Sequence, residues 1–385
     1  MATFSKLPSG KWQAKVRRRG MPATAKTFAT KAHAEAWARS IEREMDTRTF
    51  LPSDAAERLT FAEAARRYEI ECFPKLRGRE QAGYVLKRVV EQFGQYSMAG
   101  ITPALLAEYR DLRLKVVSSQ TVNHELGLIS RVFEAAAKDW GIALPRGNPV
   151  KLTRRPKVAN ERDRRLVGPE EDLLLAALGS RRSPWPRPAA ILAIETAGRM
   201  SELLALKWSE VDLKTRVAKL RGKNGGVTKN GDEFREVPLS TRAVQLLGAL
   251  PRSTTGLVLP ISQNALQIAW GRAVAAARKE WVIKKLSEEL AARGFDEETQ
   301  AREHRAWVYK KRKPLPITLE ILARLDRDDA TFVDLHFHDL RHEGTSRLAE
   351  RLQMHELMKV TGHKSSRMLD RYYHPRIADL AKKLA

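Results

Sequence analysis

A chain of 385 residues with 43% hydrophobic content is long enough for two or three folded domains. Its 70 Lys+Arg outnumber 46 Asp+Glu for a formal net charge of +24, which disfavours basic partners and points to a polyanion, either nucleic acid or an anionic membrane surface. No apolar run nears the ~20 residues of a membrane span, the opening residues lack a signal-peptide core, and one cysteine, Cys72, excludes a disulfide framework and any multi-cysteine zinc site. A cytoplasmic protein whose partner is nucleic acid is the expectation, with Cys72 an ordinary half-buried core residue.

Residues 1–50 read as a small independent module. "SGKWQAKVRR" gives a turn at Ser9-Gly10 and then a strand alternating with period two. "AKTFA" (25–29) suits its partner strand, and "KAHAEAWARSIEREM" (31–45) a helix capped by Thr30. A small sheet displaying Trp12, Arg17, Arg18 and Arg19 can enter a DNA groove as a β-ribbon; a solvated basic hairpin is the equal alternative. The polar "LPSDAAER" follows.

A helical domain is expected over 58–147. Thr60 and Glu63 make a capping-box pattern, and Thr102-Pro103 an N-cap followed by proline at the first helical position. In "TVNHELGLISRVFEAAAKDWG", Val122, Leu126, Ile129, Phe133 and Ala136 recur at steps of four and three, and Gly141 supplies a stop. That stripe is core. Residues 148–166, "NPVKLTRRPKVANERDRRL", carry two prolines and seven Lys/Arg and read as a basic linker. Lys151, Arg154, Arg155 and Lys157 suit a strap along a phosphate backbone, or a merely solvated linker. From 167 to 385 helices mix with short strands, "VAKL", "GGVTK" and "FREVPL", with Asn230-Gly231 as a hairpin signal.

Absences narrow the chemistry. "RGKNGG" lacks Walker-loop spacing, and no tight carboxylate cluster suits a two-metal nuclease. Cationic and neutral donors do cluster, in "ETAGRMSELL", "VTKNGDEF", "HFHDLRHEGTSRL" and "TGHKSSRMLDRYYHP". Phosphoryl transfer without a metal needs such donors around the phosphate, an activated nucleophile and an acid for the leaving group. A tyrosine, with an ordinary pKa of ~10, needs cationic surroundings or a base to attack at neutral pH.

In these stretches the chain resembles the tyrosine recombinases, the phage integrase family. "TAGRMSELLALKWSEVDL" resembles the first arginine box and maps Arg199, with Glu202 at the supporting acidic position. "HDLRH" resembles the second box, giving His338 and Arg341, and "TGHKS" the third, giving His363. "RYYH" is similar to the Arg-Tyr-x-His ending, whose tyrosine follows the box-three histidine by nine residues; this selects Tyr372 over Tyr373 and puts His374 in a supporting role. "KNG" occurs twice; "TKNGDEFREVPLS" matches the strand-turn lysine better, so Lys229 is taken over Lys223. The resemblance departs from the usual pattern in the threonine of "TGH", where leucine or serine is commoner, in one extra residue around Lys229, and most of all in an insertion. About fifty residues, near 281–332, separate "NALQIAWGRAVAAARKE" from "HDLRH", with Val282, Leu286, Leu290 and Ala291 on one face of an added helical excursion.

The resemblance implies a multidomain, mainly α fold: a small N-terminal β-sheet plus helix (1–50) of the arm-binding type, a helical core-binding domain (58–147), a basic linker (148–166) and an α+β catalytic domain (167–385). It implies a site-specific recombinase for integration and excision of a mobile element. Arg199, Arg341 and His363 would hold the scissile phosphate, Tyr372 attack it, Lys229 protonate the leaving 5′-oxygen and His338 accept the tyrosine proton. No cofactor or metal is expected. Implied partners are double-stranded DNA, a homotetramer on DNA docked through the tail at Ile377, Leu380 and Leu384, and accessory DNA-bending or directionality proteins. "NPVKLTRRPKVANERDRRL" and "LHFHDLRHE" are also similar to shufflon-type inversion enzymes, the main alternative. A type IB topoisomerase-like relaxase and a non-catalytic DNA-binding regulator are the others.

Overall fold

The computed structural model begins with a three-stranded antiparallel sheet, β1 (Ala2–Lys6), β2 (Trp12–Val16) and β3 (Thr24–Phe28), with β2 in the centre. The described residues are 2–372 apart from 20, 22, 48–53, 77, 145, 159–161, 163, 181–182, 223–224, 229–230 and 371. They divide into two units, Met1–Asn160 and Glu161–Ala385. In the first, the even positions Ala14 and Val16 of β2 face α1 (Lys31–Asp46) and form a small core with Ala34, Ala38 and Met45. Thr30 accepts from His33 N at 3.3 Å and caps α1, as its sequence signal indicates. β1 has no counterpart in the sequence reading, because "ATFSK" is too polar to announce a strand; it is an edge strand with four exposed residues.

Five helices follow: α2 (Asp54–Arg58), α3 (Phe61–Cys72), α4 (Arg79–Phe93), α5 (Pro103–Leu114) and α6 (Ser119–Lys138). Thr60 N donates to Glu63 Oε2 at 2.9 Å and Glu63 N to Thr60 Oγ1 at 3.2 Å, closing the expected capping box. Thr102 caps α5. The α6 stripe Val122, Leu126, Ile129, Phe133 and Ala136 is fully buried against Phe61, Phe93 and Leu106. Each such Val, Leu, Ile or Phe contributes roughly 1.5–3 kcal/mol on burial. On the same helix Glu125 is buried too, held by Arg113 (2.7 Å) and the Tyr109 hydroxyl (2.9 Å). Within 148–166, Pro149 and Val150 are buried in a short 3-10 turn, and Asn148 Nδ2 donates to Ser130 O at 3.0 Å.

In the second unit α7 (Glu170–Gly179), α8 (Pro186–Thr196) and α9 (Met200–Ala205) precede a sheet of β4 (Val211–Asp212), β5 (Val217–Leu220) and β6 (Arg235–Pro238), all antiparallel with β5 central. The expected strand "GGVTK" is absent among the described residues 225–228. Gly222 N instead bonds Gly226 O at 2.7 Å and Gly225 sits at φ +75°, so the segment turns, and β4 supplies the third strand. Next come α10 (Thr241–Ala249), α11 (Gln263–Ala292), α12 (Glu297–Tyr309), α13 (Pro316–Asp328), α14 (Asp339–Ala349) and α15 (Met354–Thr361). The apolar run of α8 is buried on nearly every side and forms the centre of this unit. Gly344 lets α14 lie against it: a Cβ there would fall within 3.0 Å of the Ile194 carbonyl carbon and closer still to its oxygen.

The added excursion is helical. α11 runs unbroken out of the main core, where Leu266, Trp270, Ala273 and Ala277 pack, into a second core of Val282, Leu286 and Leu290 with Ile321, Leu322 and Leu325 of α13. Ala291 does not join that face; it is exposed.

Candidate active site

Arg199 is placed by a turn. α8 ends at Thr196, Ala197 takes a left-handed conformation (φ 47°), and the chain re-enters a helix with Arg199 at the N-cap of α9. Glu202, one turn on and 1% exposed, accepts from Arg199 N (3.1 Å) and Nη1 (2.7 Å). Arg235 of β6 reaches the same carboxylate through Nη2 at 2.7 Å and Nε at 3.2 Å. Burial alone would push the Glu202 carboxyl up, but Arg235 and then Arg199 hold it below the usual carboxylate range.

Arg341 enters from α14 and is 4% exposed. Its Nη1 donates to the Ala197 carbonyl and its Nη2 to the Thr361 carbonyl at 2.6 Å. Arg235 Nη2 donates to that Ala197 carbonyl as well, at 3.2 Å. Burial first, then repulsion from Arg199 and Arg235, pushes the Arg341 guanidinium down to about 9. Three guanidiniums against one carboxylate leave an excess of two positive charges in a mostly buried cluster, which is a demand for an anion.

His363 follows the left-handed cap Gly362 (φ 70°) at the end of α15. The Thr361 hydroxyl donates to Leu357 O at 2.6 Å, so it accepts from His363 Nδ1–H, also at 2.6 Å. The ring then turns Nε2 toward Arg341 Nη2 at 3.5 Å. A cleft of about 440 Å³ between β6 and α15 has Arg235 and His363 in its wall.

Tyr372 N bonds Leu369 O at 2.8 Å, and buried Leu369 anchors that turn. The Tyr372 hydroxyl shares a hydrogen bond with His342 Nδ1, the rings stacked at 5.7 Å and 26°. His338, exposed, lies four residues earlier at the N-cap of α14, with its ring perpendicular to His342 at 5.2 Å. Buried Asp339 fixes the start of α14: it accepts from His336 N (2.7 Å) and from Arg162 Nε (2.6 Å) and Nη2 (2.7 Å).

The sequence-selected Arg199 and Glu202 at the start of α9, Arg341 on α14, His363 just past α15 and Tyr372 in the later turn at Leu369 are thus brought together. Lys229, its rival Lys223, Tyr373, His374 and the tail 373–385 lie outside the described residues. Arg17, Arg18 and Arg19 are exposed beyond β2, with Arg18 bonded to Asp46; Trp12 is half-buried in the small core, under Lys31. Lys151 pairs with Glu134 at 2.9 Å, and Arg154, Arg155 and Lys157 are exposed. Arg162, Arg164 and Arg165 bond instead to Asp339, Glu170 and Glu343 of the second unit. Among the described residues no group of three His, Cys, Asp or Glu is placed to hold a metal ion, and no helix is long and apolar enough to cross a membrane.

The model of the Phage integrase family matches residues 165–378, and the Shufflon-specific DNA recombinase of Escherichia coli is 32% identical over 347 residues, 87% of this chain and 74% of that protein. The chain belongs to the phage integrase family. It is a tyrosine recombinase, a site-specific enzyme that breaks and rejoins DNA strands. Its fold is shared with the Tn1549 transposon integrase in complex with transposon right end DNA (TM-score 0.56, 16% identity, 85% of this chain and 98% of that one). It is shared also with a lambda integrase tetramer bound to a Holliday junction (TM-score 0.57, 16% identity, 94% and 96%).

Two residues of this candidate site, His342 and Arg235, have no place in the sequence expectations. His342 is the last letter of "HDLRH", and its position one helical turn after His338 was the available signal. Arg235 had none beyond a basic residue opening "REVP", since only the fold brings it to Glu202.

Proposed function

We propose that this recombinase cuts and rejoins duplex DNA through a 3′-phosphotyrosyl intermediate on Tyr372. Arg199, Arg341 and His363 bind the non-bridging oxygens of the scissile phosphate and stabilise the charge that grows there in the transition state. The Tyr372 oxygen forms the new bond to phosphorus as the bond to the 5′-oxygen breaks. The tyrosine proton passes to a histidine of α14: His338 by resemblance, His342 by the geometry. Lys229 delivers a proton to the leaving 5′-oxygen. Attack by a partner strand's 5′-hydroxyl reverses these steps, so the phosphodiester energy is conserved. The observation that carries this reading is the hydrogen bond between Tyr372 and His342, one residue along α14 from Arg341.

Residues 1–50 act as an arm-binding module, 58–147 as the core-binding domain and 148–166 as the basic linker, with a homotetramer assembled on DNA through the tail around Leu380. The likeness in fold to a lambda integrase tetramer supports that assembly. The proposed biological role is integration and excision of a mobile element. Inversion is the second reading, favoured by the 32% identity to a shufflon-specific recombinase across 87% of the chain. Sequencing the DNA that flanks the gene in its host, with wild type and Tyr372→Phe side by side, separates them. Circular junctions unique to wild type support excision, and inverted ones a shufflon-type role. Junctions equal in both strains contradict Tyr372 as the nucleophile.

A further inference from the structure

The excursion between α11 and α14 is a folded body with its own core, and one stretch of its surface is strongly basic. Residues 302–313 hold six cations, Arg302, Arg305, Lys310, Lys311, Arg312 and Lys313, against a single acid, Glu303. That acid is withdrawn from the surface: it is fully buried, paired with Arg312, and accepts from Leu315 N at 2.7 Å and the Thr318 hydroxyl at 2.9 Å. Among the described residues Arg305, Lys310, Lys311 and Lys313 have no acidic partner, and all four are exposed. Arg302, Arg305 and Tyr309 stand three and four residues apart on one stripe of α12, so like charges are held beside one another at a cost to the helix. With Lys311 and Arg312 they line an open cleft of about 370 Å³ whose rim carries the exposed Tyr309 hydroxyl.

We propose that this cleft is an additional DNA-contact surface, taking the phosphate backbone of duplex outside the segment engaged at Tyr372. Guanidinium and ammonium groups in excess of their acids, Arg305 and Lys311 among them, with one phenolic donor are the chemistry that phosphate oxygens take, and they release counterions on binding. Its location fits a flanking contact. Leu286, in the excursion's core, lies thirteen residues beyond Ala273 in the main core along unbroken α11, roughly 20 Å at helical rise. The surface then adds length to the recognised duplex without touching the reaction. This inference rests on the reading of the chain as a DNA recombinase.

The test uses full-length protein and a duplex extending beyond it on both sides. Affinity is measured against salt for wild type, for Arg305→Glu/Lys311→Glu/Lys313→Glu, and for the charge-keeping Arg305→Lys/Lys311→Arg/Lys313→Arg. The reversal is expected to weaken binding at least tenfold and to shallow the log–log salt slope by about 2–3, and the charge-keeping variant to match wild type. Photoreactive p-benzoylphenylalanine in place of Tyr309 is expected to crosslink to DNA. An unchanged slope overturns the proposal, and so does the lack of a crosslink even where affinity falls through the change in net charge. In either case wild-type binding leaves the recombinase reading standing. Wild type that binds no DNA overturns both.

Discussion

The Tyr372 hydroxyl bonds to Nδ1 of His342, four residues after His338 on the same helix. That contact puts the nucleophile within reach of a base carried by the helix that also carries Arg341. His342→Asn is expected to lower single-turnover cleavage by about 10²-fold, the usual worth of a general base. DNA binding should be unchanged. His338→Asn gives the comparison: the larger loss of cleavage rate, measured on one substrate, identifies the acceptor.

Among the described residues Glu202 is the single carboxylate bonded to both Arg199 and Arg235. Glu202→Gln leaves two guanidiniums uncompensated, one of them buried, and is expected to cost about 3–5 kcal/mol by denaturant unfolding, with loss of cleavage. The pH dependence has a definite sign. A carboxyl held below its unfolded value adds stability that is complete above ~4.3 and is lost as pH falls through the folded value. Wild type should show this acid loss, and Glu202→Gln should not.

The excess positive charge predicts an oxyanion site. Sulfate or vanadate at a hundred times its Kd should stabilise the protein by about 2.7 kcal/mol, seen as a rise in Tm, and Arg341→Gln should remove the effect. With Arg341 at about 9, the anion's effect should fade as pH rises through that value. The anion-free protein behaves oppositely. A depressed guanidinium binds fewer protons folded than unfolded, so its penalty is full below about 9 and is relieved as pH rises above that value.

Gly344 is the point where α14 approaches α8. Gly344→Ala forces the helices apart and is expected to cost about 1–3 kcal/mol in chemical unfolding. Because Arg341 rides on α14, the sulfate response should weaken with it.

Arg162 ties the basic segment to the start of α14 through Asp339. Arg162→Gln removes the charge that satisfies a buried carboxylate and is expected to cost about 1–3 kcal/mol. Cleavage should fall with it, since Arg341 and His342 follow Asp339 on one helix and His338 caps its start, and urea unfolding beside a cleavage assay checks both.

Local chemistry was readable where local rules decide it. Thr30, Thr60 and Thr102 cap helices as their neighbours in sequence require, and the α6 stripe follows from periodicity alone. Arg199, Arg341, His363 and Tyr372 were legible because motif order and the nine-residue spacing constrain them jointly. What stayed hidden depends on distant partners. Arg235 meets Glu202 across 33 positions and Arg162 meets Asp339 across 177. Composition made all of 148–166 a basic linker, but buried Pro149 and the paired Arg162, Arg164 and Arg165 are set by tertiary contacts no local pattern records. "GGVTK" failed as a strand because two glycines have no side chains to pack on a sheet.

The most direct test traps the covalent intermediate. Recombinase is incubated with a nicked duplex that carries a junction recovered from the host, digested with trypsin and nuclease, and sequenced by tandem mass spectrometry. The expected adduct is a nucleotide joined through its 3′-phosphate to Tyr372, in the peptide that also holds Tyr373. An adduct on Tyr373, on any other residue, or through a 5′-phosphate would contradict the account.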